Sequence, residues 1–364
     1  MGSLRPSPPR ESHMQLKPYL QLMRERSASD LYLTANARLK LRVEGQMLSV
    51  GEETPSDHDI EVAATGLMNE NQRQRFREQL QVDFGFEDPE NGRFRFNVFR
   101  QRGMTSLTIR YIPAEIPALE TLNLPPILGE LAMSPRGLIL MVGASGAGKS
   151  TTLAAMLDKR NRERADHIIT IEDPIEFTHA HRRSIVNQRE LFTDTPSYPL
   201  ALRSALRAAP DVVMVGEIHD RATMGAVITL ANTGHFGLST LHTTNAAQTL
   251  DRILSMFPEL MQHEILLDLS ANLRAVISQR LLTGLDGKLL PAVEVMLNTP
   301  FIADLIRESR LREIKAAMED SGEPGMQSFD QALLALYREG RISLDEALAN
   351  ADSRANLEAK IHFT

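Results

Sequence analysis

Gly143-Ala144-Ser145-Gly146-Ala147-Gly148-Lys149-Ser150-Thr151 decides how the rest of the chain is read. It satisfies G-x-x-x-x-G-K-S/T, and its flanks supply the context that the motif demands. Leu138 to Val142 is an apolar run of the buried-strand kind, and Ser150 to Arg160 carries Leu153, Met156 and Leu157 at helical spacing. Strand, loop and helix in that order predict an α/β unit built on a parallel sheet. The glycines let backbone N–H groups close around phosphates, and the N-terminus of the following helix adds a favourable dipole. Ser145, Gly146, Ala147, Gly148, Lys149, Ser150 and Thr151 are therefore the expected ATP-binding residues. Lys149 belongs on the β and γ phosphates, and the Ser150 hydroxyl on magnesium.

Such a loop needs an acidic partner from a second strand, and Asp211-Val212-Val213-Met214-Val215-Gly216-Glu217 offers one acid at each end of an apolar run. The two lie roughly 20 Å apart at ~3.3 Å per residue. Ligands of a parallel sheet bind at the carboxyl ends of its strands, which selects Glu217 for water polarisation or magnesium and leaves Asp211 to begin a strand. His167 to Ile171 reads as a third strand, running into Glu172-Asp173-Pro174-Ile175-Glu176. Three carboxylates beside a triphosphate make sense around a cation, so Glu172 joins Ser150 and Glu217 as a candidate magnesium ligand, and Glu176 joins Glu217 as a catalytic candidate. Phe236 to Leu241 is a fourth strand that delivers His242, a candidate catalytic residue and γ-phosphate sensor; His235, just before it, is an ATP-binding candidate. Arg203 and Arg207 stand four apart on a predicted helix face and complete the ATP-binding candidates.

Upstream, Leu31 to Leu33 and Leu39 to Val43 alternate as half-buried strands do, and 69–80 reads as a polar helix. A hairpin follows over 93–100 and 105–112. Phe94, Phe96 and Val98 share one face, which puts Arg93 and Arg95 on the other; Leu107, Ile109 and Tyr111 leave Arg110 opposite them. The expected division is a leader or vector scar over 1–13, an N-terminal domain over 14–112, a proline-punctuated linker over 113–117 and an ATPase domain over 118–364. Past His242 the pattern reads as mostly helical, with one strand at Pro291 to Leu297.

The chain has 364 residues, 40 basic against 47 acidic, for a net charge of −7. That balance disfavours a dedicated nucleic-acid binder. No apolar run approaches the ~18 residues of a bilayer span. With no cysteine in the sequence, disulfides, Cys-ligated zinc and thiol catalysis are excluded, which fits a reducing, cytoplasmic setting.

In combination these blocks resemble the type IV pilus retraction ATPases (PilT and PilU), secretion ATPases of the RecA-like superfamily. Ser29 to Leu33, the phosphate loop with its extension through Leu157, and Ile171 to Glu176 as an Asp box carry the resemblance. So do Val212 to Glu217 as an atypical Walker B with Gly216 in place of Asp, and Thr233 to His235 with Thr240 to Thr243 as a His box. Asn298 to Arg307 and Gly325 to Leu333 lean toward the PilU branch, whereas His219 departs from the family, which often places Arg there. The resemblance implies a PAS-like N-terminal α/β domain, then a RecA-like P-loop ATPase domain with a helical C-terminal region, assembled as a homo-hexamer. It further implies that ATP and Mg2+ are the cofactors and that Arg95 and Arg110 approach the phosphates as catalytic groups. The expected partners are a PilT-like retraction ATPase and the inner-membrane platform protein of the pilus machine, with peripheral attachment through them and no membrane insertion or nucleic acid. Two other readings stand beside this one: an accessory ATP-binding ring subunit with little turnover of its own, and a RecA-like nucleic-acid translocase.

Overall fold

The computed structural model describes residues 14–43, 45–52, 54–112 and 115–362. The leader expected over 1–13, and Pro113 and Ala114 of the expected linker, lie outside the described residues. The chain folds as two units, Met1–Ala114 and Glu115–Thr364.

The first unit is a six-stranded antiparallel sheet in the order β3-β2-β1-β6-β5-β4. Its strands are β1 (Asp30–Thr34), β2 (Leu39–Val43), β3 (Gln46–Val50), β4 (Gln81–Asp88), β5 (Gly92–Gln101) and β6 (Met104–Ile112). Helices Asp57–Gly66 and Glu70–Gln79 each start on a capping box, Ser56 with Asp59 and Asn69 with Gln72. The period-two reading of the hairpin holds: Phe94, Phe96, Val98, Leu107 and Ile109 are all fully buried. Phe84 of β4 stacks on Phe96 with centroids 5.2 Å apart. Arg95 and Arg110 therefore sit together on the opposite face, as direct cross-strand partners.

The second unit is a seven-stranded sheet in the order β13-β12-β7-β11-β10-β8-β9. Its strands are β7 (Gly137–Val142), β8 (His167–Glu172), β9 (Ile185–Glu190), β10 (Val212–Val215), β11 (Phe236–Leu241), β12 (Leu273–Thr283) and β13 (Leu289–Leu297). From β12 to β9 every pairing is parallel; only the β12–β13 hairpin is antiparallel. Every residue of β7, β10 and β11 is buried, as continuous apolar strands covered on both faces must be.

The C-terminal region is helical as expected and Pro291 to Leu297 lies within β13, but one strand is added to the expectation. Beyond His242 the chain forms two long strands, and β12 lies beside β7, against the phosphate-loop strand. The helix Glu259–Asn272 runs into β12 with no glycine or proline between them. Leu266, Leu269, Leu273 and Val276 continue the 3.6-residue spacing across the junction, so the local period reads as helix where pairing with β7 imposes strand. Helices Phe329–Arg338, Leu344–Asn350 and Arg354–His362 then cover the hairpin through Leu282, Leu290, Phe329, Leu333, Leu348 and Leu357.

Glu294 of β13 is 3% exposed and accepts from the Ala246 N–H at 2.7 Å and the Ser278 hydroxyl at 3.0 Å. Burial pushes its carboxyl up to about 7 from 4.5. The folded state thus holds this proton more tightly than the unfolded chain, so its stabilisation is full below pH 4.5 and is lost as pH rises through 7. Glu294→Gln, neutral at every pH, should gain up to about 3 kcal/mol relative to wild type between pH 5 and 8.5. Thermal unfolding of the two proteins across that range checks it.

Candidate functional site

The phosphate loop owes its shape to what presses on it from β12. A Cβ on Gly143 would meet the Gln279 carbonyl oxygen at 2.5 Å, and one on Gly148 would meet Gln279 Nε2 at 2.7 Å. Gly146 and Gly148 also hold positive φ, at 78° and 86°. The Gln279 side chain, 3% exposed, donates from Nε2 to the Ala147 carbonyl and accepts from the Thr152 hydroxyl, each at 2.8 Å. It ties the helix-side half of the loop to the first turn of the following helix, and nothing in its local sequence marks it. Ser145 and Gly146 face solvent at the crest, Ala147 is buried, and Ser150 and Thr151 are half-exposed in the first helical turn. Lys149 is 8% exposed and donates to the carbonyls of Gly143 and Ala144 at 2.8 and 2.9 Å. Burial lowers its pKa, while the charges of Glu217 and Glu176 act in the opposite sense. Both carboxylates therefore lie within electrostatic reach of the loop lysine.

Register puts Glu217 there. Leu241 pairs with Val142 and Ser239 with Val215, so Gly216 and Glu217 run on beside Thr240 and Leu241 at the level of the loop. The Ile218 N–H donates to the Thr240 carbonyl at 3.0 Å, and the Thr240 hydroxyl to the Gly216 carbonyl at 2.6 Å. Gly216 itself has a steric reason: a Cβ would stand 3.3 Å from Glu172 Cα and 3.5 Å from the Tyr198 hydroxyl oxygen. Tyr198, which sequence reasoning passed over, is held neutral by burial and by the carboxylates of Asp173, Glu172 and Glu217.

Two imidazoles flank Glu217. His242 Nε2 stands 2.5 Å from Oε1, and His219 Nε2 stands 3.2 Å from Oε2. The His242 contact lies off the line a hydrogen bond requires, so Oε1, shielded from solvent, has no hydrogen-bond donor among the described residues. Such an orphaned oxygen suits a bound water or a cation from solution. No group of three His, Asp or Glu among the described residues is arranged to hold a metal alone. Magnesium does not need one, since it keeps waters and binds through one or two protein oxygens plus phosphates. The Ser150 hydroxyl and Glu217 Oε1 fit that demand.

Three expectations are corrected by placement. Glu172 is not a metal candidate: it is 8% exposed, accepts from the Thr170 hydroxyl at 2.6 Å and Gln188 Nε2 at 3.2 Å, and is pushed up to about 7 by burial. Its oxygens face inward because Thr170 and Glu172 share a face of β8. His235 precedes β11, and its carbonyl accepts from Gly137 N–H at the start of β7, the end of the sheet opposite the loop. The predicted helix ends at Ala205, so Arg207 falls in a 3-10 turn leading into Asp211 at that same far end. Arg203 is exposed on the last helical turn and does not share a continuous helix face with it.

In the first unit, Arg110 donates to Asp30 at 2.8 Å and Arg95 contacts Asp83 at 3.4 Å. Asp30 is 4% exposed, so these arginines stand on a carboxylate-lined face and are oriented by it. Arg100 is tied elsewhere, to Glu61 at 2.8 Å and over the Phe76 ring.

The sequence family described as Type II/IV secretion system protein matches residues 15–292. The chain is 45% identical over 349 residues to the type IV pilus ATPase PilU of Pseudomonas aeruginosa, covering 96% of this chain and 91% of that protein. It is 40% identical to the type IV pilus retraction ATPase PilT of the same organism, covering 93% and 98%. The solved structure of the pilus retraction motor PilT with bound ADP superposes with a TM-score of 0.88 at 40% identity, covering 95% of this chain and 99% of that one. The expected α/β architecture with a helical C-terminal region is thus shared with a solved motor protein.

Replacing Gln279 by Leu leaves the Ala147 carbonyl and the Thr152 hydroxyl without partners, a loss of roughly 1–3 kcal/mol. Calorimetry should show a lower Tm, and the rise in Tm produced by Mg-ADP should shrink as the loop loosens. An unchanged nucleotide-induced shift would refute the brace.

Proposed function

The chain belongs to the Type II/IV secretion system protein family and is an ATPase, and on that premise we propose that it is a motor of type IV pilus retraction, of the PilU type. It works as a ring of six subunits that couples ATP hydrolysis to pilus disassembly, together with a PilT-type motor and a platform protein at the inner membrane. Among the described residues no helix is long and apolar enough to cross a membrane, so attachment there would run through partners.

One observation carries the catalytic reading: Glu217 Oε1 lies at the level of the phosphate loop, shielded from solvent and without a hydrogen-bond donor among the described residues. An attacking water supplies the missing donor and is polarised in return. Lys149 exchanges its two carbonyl acceptors for phosphate oxygens, and the N–H groups of Gly146 to Ser150 take the β phosphate. When bound, magnesium neutralises charge on the β and γ phosphates. Ser150 would hold it, with Glu176 orienting its waters. Arg95 and Arg110 are assigned to complete the charge stabilisation.

Phosphate release measured with Mg-ATP across protein concentrations tests the reading. Specific activity should rise with concentration as rings form. Glu217→Gln should bind ATP and release phosphate at least about 100-fold more slowly. Arg95→Ala should retain ATP binding and lose up to about 10³ in turnover. Glu217→Gln working at the wild-type rate would falsify the assignment. Binding without turnover in the wild-type protein, relieved by adding a PilT-type motor, favours the accessory reading.

A further inference from the structure

Between β8 and β9 the chain passes through 173–184 without helix or strand, and Glu176 stands in this stretch. A segment with no ladder of its own must find partners for its backbone groups elsewhere. Side chains supply them here. From β9, Glu190, itself 4% exposed, accepts from the Ile175 N–H at 3.2 Å. Gln188 accepts from the His179 N–H at 2.7 Å and donates through Nε2 to the Phe177 carbonyl at 2.7 Å. The same Nε2 donates to Oε1 of Glu172, the last residue of β8, at 3.2 Å. Gln188 and Glu190 are two apart, so they leave β9 on one face and meet the loop together. Further along, Asn161 of the helix Lys149–Glu163 accepts from the Arg182 N–H at 3.3 Å and donates to the Ala180 carbonyl at 2.7 Å.

Glu176 is thus bracketed by anchored backbone, at Ile175 on one side and at Phe177 and His179 on the other. Its own N–H makes a longer contact, donating to Glu172 Oε2 at 3.4 Å. Among these anchors Gln188 holds two backbone groups at once, because an amide presents an acceptor and a donor at the end of one side chain. The Glu176 charge acts on Lys149, so the direction in which the loop presents that carboxylate has a consequence at the site. Resting on the Glu176 reading above, we infer that Gln188 is a positioning residue: by fixing Phe177 and His179 it holds the Glu176 carboxylate toward the phosphate loop. Its contribution is read in the magnesium requirement, since groups standing behind a metal-facing carboxylate are felt in metal affinity and turnover.

The test is a double-mutant cycle in the full chain, with Gln188→Met, Glu176→Gln and the two combined. Gln188→Met keeps the length of the side chain and removes both polar atoms. Two quantities are read: kcat for ATP hydrolysis, and the Mg2+ concentration that gives half of the Tm rise seen with saturating ADP. Gln188→Met should lower kcat about tenfold and raise the Mg2+ half-point about tenfold. With Glu176→Gln already present, adding Gln188→Met should change either quantity by less than about twofold. Wild-type values in Gln188→Met overturn the inference. So does an undiminished effect in the Glu176→Gln background, the mark of general damage to the fold. Should Gln188→Met fail to fold, Gln188→Asn, one methylene too short to span both backbone groups, goes through the same cycle with the same expectations. Glu176→Gln separates the two levels. If it alters both quantities while Gln188→Met does not, only the positioning role falls; if it behaves as wild type, the Glu176 reading falls and the inference with it.

Discussion

Parallel pairing of three buried strands is the constraint on which the site depends. Because β7, β11 and β10 run the same way in fixed register, Val142, Leu241 and Val215 bring their following loops to one end of the sheet. Each strand then delivers one chemical element there: the phosphate loop, His242 and Glu217. A one-residue slip of any of these strands would swap every side chain between two packed faces and carry its loop out of place. The geometry of the site is thereby held by hydrophobic burial more than by any bond among its members.

The polar groups around that end are arranged by how much water they see. Glu172 is enclosed and satisfied by Thr170 and Gln188, which turns a sequence-conspicuous acid into part of the scaffold. Glu217, two residues beyond Val215, keeps one oxygen without a hydrogen-bond partner among the described residues. Lys149 is buried with backbone carbonyls as acceptors, so its charge is poised by desolvation and by two nearby carboxylates. Acids at the ends of two neighbouring strands thus differ through how far each is buried and satisfied.

How much of this the sequence reveals follows from the range of each determinant. The phosphate loop, the strands on either side of it and the Phe/Arg alternation of the hairpin are legible because they are local patterns of period two or 3.6. Glu217 was found by combining a pattern with a topological rule, and the rule distinguished it from Asp211. Where the deciding partner is distant, reading fails. β12 reads as helix because Leu273 and Val276 continue the helical spacing of Leu266 and Leu269 until β7 imposes another period. Gln279 looks like any polar strand residue until its two bonds to the loop are seen. His235 and Arg207 were grouped with the site by proximity in sequence to strands whose other ends carry the chemistry. His219 was visible only as a departure from the family, without a hint of what it touches.

Successive side chains of β12 divide two tasks. Gln279 faces the phosphate loop, while Arg280 faces away, lies 3.8 Å over the Phe329 ring and pairs with Asp352 at 2.6 Å. One peptide bond therefore separates the brace of the loop from the anchor of the C-terminal helices. The strand serves as a beam fixed at the same point to two loads, with no flexible segment between them to absorb a displacement. In such a joint, strain arising on the nucleotide side is shared with the helices at full stiffness rather than dissipated along the chain.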